Sequence, residues 1–230
     1  MDTSQEPTGT ARRPAPARLR LRGRISTRIT GGGTDGNEQL TTITGTILLV
    51  VLAVLGVTII RIGQLLWLHL FVGLLLIGPV VLKLASTGYR FVRYYAHDVT
   101  YRRKGPPEPV LRLIAPIVVV STLVVFVTGV ALLFVGPADR GELVLIHKVS
   151  FFVWLAFTAL HVLGHLRHLP APLRAVRRPS PDLPGLESGT AGRWISVAGA
   201  LLGGLVLAVV LIPDFSLWTA HAVAFHHHQH

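Results

Sequence analysis

The sequence predicts an all-α, polytopic transmembrane helical bundle with a four-helix core plus a fifth span, and three observations predict it. Half of the 230 residues are hydrophobic and only 14% are charged, where a soluble domain carries about a quarter charged residues. The apolar residues are gathered into five runs, each near the roughly 20 residues that cross the hydrocarbon of a bilayer. The basic residues, finally, alternate in position with those runs in the way that sets membrane topology.

The elements follow in order. Residues 1–39 are rich in Arg, Pro, Gly and Thr and poor in large apolar residues, a composition that cannot form a core and reads as a disordered basic tail. The twin arginine Arg12–Arg13 is followed by an apolar run only some 30 residues later, so the first span is expected to be a retained helix rather than a signal peptide. Residues 40–213 form the five-span transmembrane domain. Its spans are read at 41–60, 65–86 (with helix continuing toward 95), 111–135, 143–166 and 194–212. Pro79 follows Gly78 inside span two, where a kink is expected. Gly199 and Gly203 in span five fit close helix packing. Residues 214–230 are an exterior His-rich segment ending FHHHQH, a candidate for binding copper, zinc or iron.

Of the 22 Lys and Arg residues, 19 lie in the tail, at the end of span two and its following loop, or in the loop after span four. Arg61, Arg140 and Lys148 alone lie on the other side. This asymmetry predicts a cytoplasmic N-terminus and an exterior C-terminus in the inner (plasma) membrane. The net charge of +11 is then explained by orientation, and nucleic acid is not expected as a partner.

Cysteine is absent and Met1 is the only methionine, which excludes disulfides, iron–sulfur clusters, Cys-type zinc sites, covalently attached haem and an axial methionine. All 11 acidic residues lie outside the deep apolar stretches, so the carboxylate relay of a proton pump is missing. Lys83 is the one charge well inside a span, readable as a snorkelling lysine or as the partner of a cofactor's acidic group.

Four histidines lie within or at the edges of spans: His69 in span two, and His147, His161 and His165 in span four. On an ideal helix, with His147 as origin, Phe151, Trp154, Thr158, His161 and His165 all fall within about 40° of one stripe. The 14 residues from His147 to His161 rise about 21 Å, a spacing that suits two stacked redox centres and not one compact metal site. His69 and His147 lie at a similar depth beneath the outer surface. Two imidazoles from facing helices are what a six-coordinate haem b requires, with Trp154, Phe151, Gly73 and Gly78 available to line the slot. On the cytoplasmic side, His161 and His165 lack an evident partner: 14 residues beyond His69 stands Lys83, and His97 is either a ligand folding back or a solvated loop residue. Arg90 and Arg93 are candidates for pairing with haem propionates, or are ordinary positive-inside anchors.

The stretch LHKVSFFVWLAFTALHVLGH (146–165), preceded by an apolar span containing His69, resembles the last core helix of bacterial diheme cytochromes b. These include the membrane subunits of formate dehydrogenase and nickel–iron hydrogenase. The resemblance covers about 65–166 and implies noncovalent haem b and electron transfer between a quinone and a partner protein. The chain departs from that pattern in having no histidine in span one, so one haem is expected more firmly than two. The alternatives are a cofactor-free scaffold or accessory subunit whose histidines hydrogen-bond between helices, and a metal transporter.

Overall fold

The computed structural model describes residues 33–97, 99, 109–135, 139–166 and 189–219. These form helices α1 (Gly33–Ile60), α2 (Ile62–Tyr95), α3 (Pro109–Phe134), α4 (Gly141–Leu166) and α5 (Thr190–Val210), followed by a 3₁₀ turn at Ile212–Phe215. No strand occurs among the described residues. All five helices are long and apolar enough to cross a membrane, and the all-α polytopic bundle expected from the sequence is the observed fold. The expected tail and the His-rich end fall largely outside the described residues.

Two helical hairpins make the core. α1 packs along α2 and α3 packs along α4, while α5 lies mainly against α2. One end of the bundle carries the α1–α2 turn at Arg61, the start of α4 and the ends of α3 and α5; it is called the hairpin end below. Large apolar side chains such as Val50, Val120, Phe152 and Val206 are exposed on the bundle surface. The interior instead holds the hydroxyls of Thr44, Thr58, Ser86, Ser121, Thr122 and Thr128. This arrangement suits hydrocarbon, where apolar surface costs nothing outside and polar groups must be satisfied inside. Most of these hydroxyls donate to a carbonyl three or four residues earlier, as Thr44 does to Leu40 at 2.8 Å.

α1 starts at Gly33, well before the apolar run at 41, because its polar first turns have a tertiary partner. Asn37 Nδ2 donates to the Ser86 carbonyl at 3.2 Å, and Thr41 Oγ1 meets Ser86 Oγ at 3.3 Å. Lys83 belongs to the same cluster. Its Nζ donates to the Thr41 carbonyl at 2.7 Å, and Gly45 leaves room for it, since a Cβ there would lie 3.1 Å from Nζ.

Pro79 is buried inside α2, yet the one departure from helical backbone within this helix is at Leu65 (φ −112°, ψ 22°), not at the proline. Pro79 removes the N–H that would reach the Leu75 carbonyl. That oxygen instead lies against Gly204 of α5, where any Cβ would overlap it. Reciprocally, a Cβ at Gly78 would overlap the Ala200 carbonyl oxygen. The close-packed pair in α5 is therefore Ala200 and Gly204, whereas Gly199 and Gly203 have nothing within 4 Å of a Cβ. The small-residue motif lies one position along from the register the sequence suggested.

Beyond α5 the chain turns across the hairpin end. Phe215 is 1% exposed and packs with Leu74, Leu133 and Ala208. Its ring meets Trp67 edge-on at 5.9 Å, and Trp67 stacks on Phe71 at 5.3 Å.

Candidate functional site

The two hairpins each deliver one imidazole to the hairpin end. His69 stands in the second turn of α2 and His147 in the second turn of α4. The two rings are carried by different hairpins.

Each ring is held by a threonine on the partner helix of its own hairpin. His69 Nδ1 lies 3.0 Å from Thr58 Oγ1 on α1, and His147 Nδ1 lies 3.0 Å from Thr128 Oγ1 on α3. The direction of these bonds follows from where the hydroxyl protons go. Thr58 Oγ1 donates to the Leu55 carbonyl at 2.6 Å, and Thr128 Oγ1 donates to Val124 at 2.7 Å, with Val125 at 3.1 Å. With their protons committed, both oxygens act as acceptors, so each imidazole donates its Nδ1–H. Both histidines are therefore fixed as the tautomer whose Nε2 carries a lone pair. Among the described residues no hydrogen bond to either Nε2 is seen. Gly129 completes the seat of His147: a Cβ there would lie 3.1 Å from Cε1, tight enough to shift the ring.

Two imidazoles held through Nδ1 and presenting Nε2 are donors of the kind that ligate a transition metal. No group of three or more His, Cys, Asp or Glu suited to a bare metal ion occurs among the described residues.

The other sequence candidates are distributed differently. Trp154 is half-buried two turns below His147 on α4; its Nε1 donates to Thr122 Oγ1 at 2.9 Å, tying α4 to α3, and its ring stacks with Phe151 at 6.0 Å. His161 is half-buried in α4, and no second histidine from another described helix stands at its level. The side chain of His165 lies outside the described residues. His97 sits exposed in the turn ending α2, with φ of 63°. Arg90 and Arg93 are exposed at the far end of α2, about 32 and 36 Å along the helix from His69. Arg93 lies over the Tyr89 ring at 5.9 Å. Neither arginine can serve the His69–His147 pair. Lys83 is likewise about 21 Å from His69 along α2 and is engaged by the Thr41 carbonyl.

Sequence reasoning missed Thr58, Thr128 and Gly129. Their signal was depth: both threonines lie at the same end of their helices as the histidine they hold. Comparison with protein-family models, with curated proteins and with solved structures finds no match for this chain.

Proposed function

We propose that the chain is an integral membrane b-type cytochrome that holds one haem b between His69 and His147. It would carry electrons between a quinone or other membrane donor and a partner protein. The observation that supports this reading is the pair of imidazoles, one from each hairpin, each hydrogen-bonded through Nδ1 to a threonine of its own hairpin. Haem, when bound, supplies a reversible one-electron couple. The chain's own residues supply the rest. His69 and His147 offer Nε2 as axial ligands, and Thr58 and Thr128 hold the rings in orientation and raise their basicity. The apolar shell around Leu70, Phe71 and Val130 excludes water from this end.

The resemblance of 146–165 to diheme cytochromes b agrees with this reading for the site at the hairpin end. For a second haem, His161 and His165 offer donors on α4 alone, so one haem per chain is the proposed stoichiometry. The basic loops argue for the plasma membrane with the hairpin end exterior.

A scaffold reading draws on the same threonine bonds, since each also ties a hairpin together. Haem content separates the two. The purified full-length protein, produced with ample haem supply, is expected to hold one haem per polypeptide with a six-coordinate, low-spin spectrum. His69→Ala and His147→Ala are each expected to abolish that spectrum. A colourless, folded protein, or full haem retention in both variants, would overturn the proposal.

A further inference from the structure

At the hairpin end one cation stands apart from the positive-inside pattern. Arg140 directly precedes α4, and its carbonyl accepts the Val144 N–H at 2.8 Å, so the backbone there already follows the helix. Its guanidinium carbon lies 4.2 Å from the centroid of the Trp218 ring. Trp218 is itself pinned, its Nε1 donating to the Leu132 carbonyl at 2.8 Å, and the buried Phe215 anchors the segment that carries it. The stacked aromatic, the end of α3 and the start of α4 thus place this guanidinium in a set position. Yet its Nη1 is buried and has no hydrogen-bond partner among the described residues.

A desolvated guanidinium N–H left unpaired is costly. With its carbon over the indole, the guanidinium still has an N–H edge without a partner, and a planar ligand that matches that fork is a carboxylate. The acids described at this end, Asp139, Glu142 and Asp214, make no ion pair with it.

The position relative to His147 narrows the ligand. Seven residues separate Arg140 from His147, which on a helix is two turns, about 10 Å of rise and a rotation of only about 20°. A carboxylate held at Arg140 would therefore belong to something lying along the same face of α4 as the His147 ring. That span matches the reach from the centre of a porphyrin to its acidic side chains. We propose that Arg140, seated on Trp218, takes a carboxylate of the haem, an inference that rests on the His69–His147 reading above.

The test uses the full-length protein stripped of haem and titrated with two porphyrins, haem b and its dimethyl ester, which lacks the acidic groups. Wild type is expected to bind the free acid about ten-fold more tightly than the ester, as one charge-assisted pair implies. Arg140→Gln is expected to lose that preference while keeping the same six-coordinate spectrum. Arg140→Lys, which retains a point charge without the planar fork, is expected to keep part of it. Equal binding of acid and ester by wild type, or an undiminished preference in Arg140→Gln, would overturn the assignment while leaving the histidine pair intact. Should neither porphyrin give a six-coordinate spectrum with wild type, the histidine reading fails and this one with it. The wild-type comparison stands even if the glutamine variant does not fold.

Discussion

Replacing Gly204 by alanine tests the packing of α5 on α2 at a single methyl group. At this position a Cβ would overlap the Leu75 carbonyl oxygen and come within 3.0 Å of its carbon, both backbone atoms that cannot rotate away. The helices must part by about 1 Å to restore an ordinary contact, in an interior that is close-packed. Overpacking of this kind costs about 1–3 kcal/mol, and a radial gap of that size forfeits a quarter to a half of each neighbouring dispersion contact. Alanine returns about 1 kcal/mol of helix propensity over glycine. The expected net effect is a loss of about 1 kcal/mol, and of up to about 2 kcal/mol where the helices cannot part. Gly203→Ala, one residue away, meets nothing within 4 Å and is expected to be neutral or stabilising by up to about 1 kcal/mol. Unfolding in mixed micelles, followed by circular dichroism with increasing denaturing detergent, reads both variants on one scale. Equal midpoints for the two, or a higher midpoint for Gly204→Ala, would refute the register.

Two further substitutions probe the site. Thr128→Val keeps the shape of the side chain but removes the acceptor for His147 Nδ1–H. It is expected to cost about 1–3 kcal/mol of stability, to release the His147 tautomer in imidazole ¹⁵N spectra, and to raise the reduction potential of bound haem, because a less basic axial ligand favours the oxidised state less; an unchanged tautomer and potential would discard the locking argument. Lys83→Met removes the amine on the Thr41 carbonyl and is expected to leave haem content unchanged, whereas loss of an equivalent would return Lys83 to the cofactor.

The bundle was legible in the sequence because the physics that specifies it is coarse. Twenty apolar residues in a row and a one-sided distribution of cations have few other solutions. His69 and His147 were legible for a related reason, since depth in a membrane is read by counting along a span. What pairs within a hairpin is not so read. Thr58 and Thr128 look like any hydroxyl bonded back to its own helix, and only the structure shows that each also meets an imidazole nitrogen. The start of α1 was hidden because 33–39 is polar and is ordered by Ser86, some 50 residues away. The small-residue motif slipped by one because Ala200 is as small as the contact needs, so 199/203 and 200/204 carry the same period and only packing chooses. Arg140 was hidden among charges counted for their sign alone.

The division of the site between hairpins has a consequence for assembly. The first hairpin touches the second mainly through α2 and α3, and sparsely, while each ring is set by its own hairpin's threonine. Under the proposed haem reading, the bound group would bridge two halves that each carry one ligand and the threonine that holds it. On that reading the protein would gain cohesion with the logarithm of haem supply over its dissociation constant, so haem supply would bear on its survival against membrane proteases.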